Sequence, residues 1–179
     1  MFRKPTFTVT LLFVWVSATF VLFFVLATRN LVPFDPAQSL LLSSMDAGFD
    51  QRVKAVFENS GQPVNSSVFH IQAQGCACNN VSQSHIRSLN QNLQRNDYQI
   101  RNVSPDNVAQ LSAIIPSAPA IVVFDQQGKL SYLGPYSSGL LCGSRNSLID
   151  SIIDKIVTNK HLGATIISQS EGCYCALKA

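Results

Sequence analysis

Residues 117–133 read SAPAIVVFDQQGKLSYL, and the fold class turns on them. Ala120 to Phe124 is an unbroken apolar run, the pattern of a strand buried on both faces. Asp125-Gln126-Gln127-Gly128 is a four-residue turn, and Lys129 to Leu133 returns as the second strand of a hairpin.

Upstream, Val68 to Gln72 is a short β-type run ending at Gly75, and Val81 to Arg95 carries Val81, Ile86, Leu89 and Leu93 on one helical stripe. Tyr98 to Val103 alternates as a strand. Ser104 caps a helix from Asp106 to Ile115, with Pro105 in the favoured first position and Pro116 as its stop. Asp46 to Asn59 holds Phe49, Val53, Val56 and Phe57 at helical spacing. Ser144 caps a last helix running to Asn159 and burying Leu148, Ile152, Ile153 and Ile156.

This order of elements is that of a mixed sheet. The strand-helix-strand unit makes its two strands parallel. If the hairpin joins the free edge of the first of them in antiparallel sense, Cys76 approaches Pro119. The loop from Gly134 to Gly143, with Tyr136, Ser138 and Cys142, returns to that edge.

Of 179 residues, 46% are apolar and only 13% charged, and the apolar excess is local. Phe7 to Ala27 contains no charge, glycine or proline, long enough as a helix to cross roughly 30 Å of hydrocarbon. Arg3 and Lys4 precede it, which places the N-terminus in the cytoplasm and the rest across the membrane. The run exceeds the usual core of a cleaved signal peptide and reads as an anchor. Residues 1–6 are then a cytoplasmic stub, 7–28 the transmembrane anchor, 29–45 a linker, 46–162 the folded domain and 163–179 a cysteine-containing tail. With a net charge of +3 and no basic run, nucleic-acid binding has no electrostatic support. Phosphate-loop, nucleophile-elbow and His-rich metal motifs do not occur.

Five cysteines beyond a membrane close at most two internal bridges. Gly75-Cys76-Ala77-Cys78 feeds a helix, Ser117-Ala118-Pro119 opens a strand, and Phe124 to Lys129 forms the hairpin turn. Together these resemble the thioredoxin-like superfamily, most nearly its membrane-anchored periplasmic branch, over about residues 64–160. The resemblance implies a three-layer α/β/α sandwich with a mixed four- to five-stranded sheet, and a cis peptide bond at Pro119. It also implies an attacking thiol at Cys76 or Cys78, with the chain held in a bacterial inner membrane and the domain in the periplasm. The spacing departs from the superfamily's Cys-x-x-Cys. A bridge between Cys76 and Cys78 would close a small strained ring, which favours donating a disulfide.

The expected site therefore has Cys76 and Cys78 as exchanging thiols, lined by Ala118, Pro119, Tyr136 and Cys142. Cys142, Cys173 and Cys175 act as a relay or as structural staples, for example Cys142 holding the tail. Its partners are protein thiols or disulfides, with no cofactor. His85 either tunes the thiol or simply packs between Val81 and Leu89. Two other classes compete. Cys76, Cys78, Cys142, Cys173 and Cys175 offer soft thiolates for copper or zinc, and a non-catalytic, disulfide-stapled interaction domain needs no reactive sulfur.

Overall fold

A computed structural model describes residues 5–28, 31–108, 110–139, 146–160 and 163–177. Helix α1 (Pro5–Thr28) is uncharged and, over Phe7–Leu26, long and apolar enough to cross a membrane. Its large side chains are exposed, among them Phe13, Trp15, Phe20 and Phe23.

Beyond it, three strands form the centre of a sheet: β2 (Ser67–Ile71), β5 (Ala120–Phe124) and β6 (Leu130–Gly134), after β1 (Val32–Pro33), β3 (Gln99–Val103) and β4 (Ser117–Ala118) are counted in chain order. Every residue of β2, β5 and β6 is buried. The five-stranded mixed sheet has the order β3-β2-β5-β6-β7, with β7 at Thr165–Ile166. β2 and β3 are parallel, and β5 lies antiparallel to β2 with Ile71 opposite Ala120, the register expected from the hairpin. That register brings the end of β2 to the start of β5. β7, parallel to β6, belongs to the segment expected as a cysteine-containing tail, so Thr165–Ile166 of that segment add the edge strand of the sheet.

Alternation along β5 feeds two cores. Ala120, Val122 and Phe124 face one cluster, with α3 (Phe49–Asn59) contributing Phe49, Val53, Val56 and Phe57. There Phe57, Phe69 and Phe124 pack with ring centroids 4.3 to 5.9 Å apart. Ile121 and Val123 face the other cluster. That side is closed by Ile86, Leu89 and Leu93 of α4 (Cys78–Arg95) and by Ile153 and Ile156 of α6 (Asp150–Val157).

Several boundaries differ from expectation for identifiable reasons. The helix expected from Asp106 to Ile115 is a 3₁₀ turn, Pro105–Asn107, followed by the single-turn α5 (Leu111–Ile114). Gln110 between them adopts a left-handed φ of 65°, which no continuous helix accepts. The last helix starts at Asp150, its amide capped by Ser147 Oγ at 2.9 Å, and Ser144 lies outside the described residues. The expected linker, 29–45, holds packed structure. β1 pairs with β8 (Glu171–Gly172), α2 spans Ser39–Ser44, and Phe34 and Leu40 are buried in the first core. Buried Asp35 fixes the start of α2 by accepting the Ser39 and Leu41 amides, both at 2.9 Å.

Candidate functional site: two disulfides at one edge of the sheet

Beyond β2 the chain turns at Gly75, whose left-handed φ of 71° suits glycine, and enters α4 through Cys76-Ala77-Cys78. Both cysteines are buried. The register places this turn beside the start of β5, and Cys76 Sγ lies 3.8 Å from the Ala118 carbonyl oxygen. The Ala118–Pro119 peptide bond is cis. The expected convergence of Cys76 with Pro119 is therefore present.

The expected partners of these sulfurs are different. Cys76 bonds Cys175 and Cys78 bonds Cys173, so the two helix cysteines tie down the tail and no Cys76–Cys78 ring forms. The bridges close spans of 99 and 95 residues. They run side by side because the start of α4 and the tail space their cysteines alike and pair in opposite order. The sulfurs of Cys76, Cys78 and Cys175 lie within 4.8 Å of one another. Cys142, expected to line the site or anchor the tail, lies outside the described residues.

Backbone pairing seats the tail. β9 (Cys175–Ala176) is antiparallel to β4, with Cys175 opposite Ala118, and the Leu177 amide donates to the Pro116 carbonyl at 2.8 Å. Between the cysteines, Tyr174 is buried with its ring edge-on to Phe34, centroids 5.2 Å apart. Its hydroxyl donates to the Ser137 carbonyl at 2.6 Å and shares a hydrogen bond with Ser170 Oγ at 2.8 Å. Gly172 permits this seat, since a Cβ there would stand 2.8 Å from the Tyr174 ring. The loop after β6 thus reaches the cysteine edge as expected, and Gly139 bonds Glu171 at 2.8 Å. Ser137 and Gly139 are residues of this loop that meet the tail.

Tyr136, expected to line the site, is fully buried in the second core. The Asn90 side-chain carbonyl accepts from His70 Nε2 at 2.7 Å, which leaves Nδ1 to accept the Tyr136 hydroxyl at 2.6 Å. Burial pushes the His70 pKa down to about 4, opposed by the Asn90 bond, and burial raises that of Tyr136. His85 is also a packing residue: it is buried, and its Nε2 meets Asp150 Oδ1 at 2.8 Å. The residues missed from the sequence are Tyr174 and Phe34. The matched one-residue spacing at Cys76/Cys78 and Cys173/Cys175 was the available signal for paired bridges.

These features define a mixed α/β domain, stapled by two adjacent disulfides, that follows a helix apolar enough to span a membrane. The chain belongs to the family described as Domain of unknown function (DUF6436), whose model matches residues 45–177. Comparison with curated proteins and with solved structures returns no match.

Proposed function

We propose that the domain is a thioredoxin-like module that exchanges disulfides with protein thiols, held by α1 in a bacterial inner membrane and facing the periplasm. One observation carries the exchange: the two bridges sit so close that three of their sulfurs lie within 4.8 Å. A structural staple needs one bridge. Two adjacent bridges bring a thiolate opened in one close to a sulfur of the other, and exchange proceeds by thiolate attack on a disulfide sulfur. Their position also favours chemistry over scaffolding. Cys78 opens α4, where the helix dipole stabilises a thiolate, and the first turn carries no acid to oppose it. The β2-α4-β3 unit with an antiparallel β5 and β6 agrees with the resemblance noted from the sequence.

The test is to mix the oxidised full chain, in detergent micelles, with a reduced peptide dithiol and follow peptide disulfide formation. Transfer of one disulfide per opened bridge under native conditions is the expected result. Bridges that resist until the chain is denatured would leave a stapled, non-catalytic domain. The same cluster favours a second reading, because after reduction Cys76, Cys78 and Cys175 present three neighbouring soft ligands suited to Cu(I) or Zn(II). Near-stoichiometric metal on the purified reduced chain would support it.

A further inference from the structure

The two ends of each bridge are chemically unequal. Cys76 and Cys78 are each 8% exposed at the start of α4, whereas Cys173 and Cys175 on the tail are only partly covered. Displacement at sulfur runs in line, with the attacking thiolate opposite the leaving sulfur. Attack on Cys76 would have to pass the buried turn, where the Ala118 carbonyl oxygen stands 3.8 Å from Sγ and repels an anion. Attack on a tail sulfur comes from the tail's own side, where cover is thinner.

Leaving-group chemistry selects the same direction. Exchange is faster when the departing thiol has the lower pKa. Attack on Cys175 or Cys173 expels Cys76 or Cys78, which sit at the positive end of the 18-residue α4. Attack on the helix sulfurs would expel a tail thiolate that stands at no helix start.

Resting on the exchange reading above, we propose that Cys173 and Cys175 are the sulfurs that an incoming thiolate attacks, so that the tail carries the mixed disulfide. A protein dithiol supplies the thiolate. Its electron pair forms the new S–S bond to Cys175 as the Cys76–Cys175 bond breaks, and that bonding pair leaves on Cys76. The dithiol's second thiolate then attacks its own bridged sulfur, closes the partner's disulfide and expels Cys175 as a thiolate. The partner is oxidised by two electrons and one bridge of the domain is reduced by two; the two thiol protons pass to Cys76 and Cys175 or to solvent. The Cys78–Cys173 bridge keeps the tail attached meanwhile, and the pairing of Cys175 with Ala118 sets the covalently held partner beside β4.

The test uses glutathione as the probe thiol on the oxidised full chain with Cys142→Ser, in micelles, alongside a form that also carries Cys78→Ser and Cys173→Ser and so keeps only the Cys76–Cys175 bridge. After acid quench, adducts are mapped by mass spectrometry. The expected result in both is glutathione on the tail cysteines, at least about tenfold above any on Cys76 or Cys78. Adducts mainly on Cys76 or Cys78, or equally on both ends, would overturn the polarity while leaving exchange intact. No adduct on the native chain, with all four cysteines reacting once it is denatured, would overturn the exchange reading and this inference together.

Discussion

The centre of the sheet and its cysteine edge are held together by different means. In β2, β5 and β6 every residue is buried, and Phe57, Phe69 and Phe124 interlock on one face. At the edge, β1, β4, β8 and β9 are two residues each, too short for burial to hold them alone. Two disulfides and the Tyr174 anchor do that instead. Hydrocarbon is indifferent to thiols, whereas a disulfide is not. The contrast implies that reductant acts on the edge and leaves the centre standing.

The strongest challenge to this division is to remove both bridges. Cys173→Ser with Cys175→Ser should lower unfolding stability by about 4 to 5 kcal/mol, the loop-closure value for spans near 100 residues, read by urea denaturation. Losing one bridge should cost only about 1 kcal/mol or less, since the other closes nearly the same loop. Hydrogen exchange should quicken in 171–177 and 32–34 while β2, β5 and β6 remain the slowest; loss of protection throughout the sheet would abolish the distinction. Phe69→Ala attacks the centre directly and should cost about 4 kcal/mol through the cavity it leaves, with both bridges still mapping as Cys76–Cys175 and Cys78–Cys173.

Acid probes the centre more gently. The His70 pKa is held near 4 in the fold, below its ordinary 6.5, so the unfolded chain binds the proton first as pH falls. Stability is full above about pH 6.5 and declines towards pH 4, by on the order of 3 kcal/mol. His70→Gln should flatten the pH dependence of the urea midpoint across that window. A small effect also belongs to Tyr174→Phe. It leaves the Ser137 carbonyl without the hydroxyl that donates to it and should cost about 1 to 2 kcal/mol, with faster exchange confined to the tail.

The centre was legible in the sequence because its signals are local. The apolar run at Ala120–Phe124 and the alternation flanking it required a hairpin, and strand topology then brought Cys76 to Pro119. The edge was not legible, because two-residue strands carry no periodicity and pairing between cysteines some 95 residues apart depends on where the tail docks. Tyr136 and Tyr174 show the difference. Near a glycine-rich turn, Tyr136 resembled a surface residue, and only its partner His70, 66 positions away, reveals it as core. Phe34 was likewise hidden among prolines, although an isolated aromatic there signals packing.

The pairing of β1 with β8 also fixes a leash. Only residues 29–31 separate the end of α1 from β1, and at about 3.3 to 3.6 Å per residue that stretch spans at most roughly 14 Å. With α1 across a bilayer, the paired edge of the domain is held close over the lipid headgroups. The segment that follows α1 clasps the strand next to Cys173. On the exchange proposed above, proteins presenting their thiols near the bilayer would be within easy reach, whereas a thiol far out in the aqueous compartment would have to come to the membrane.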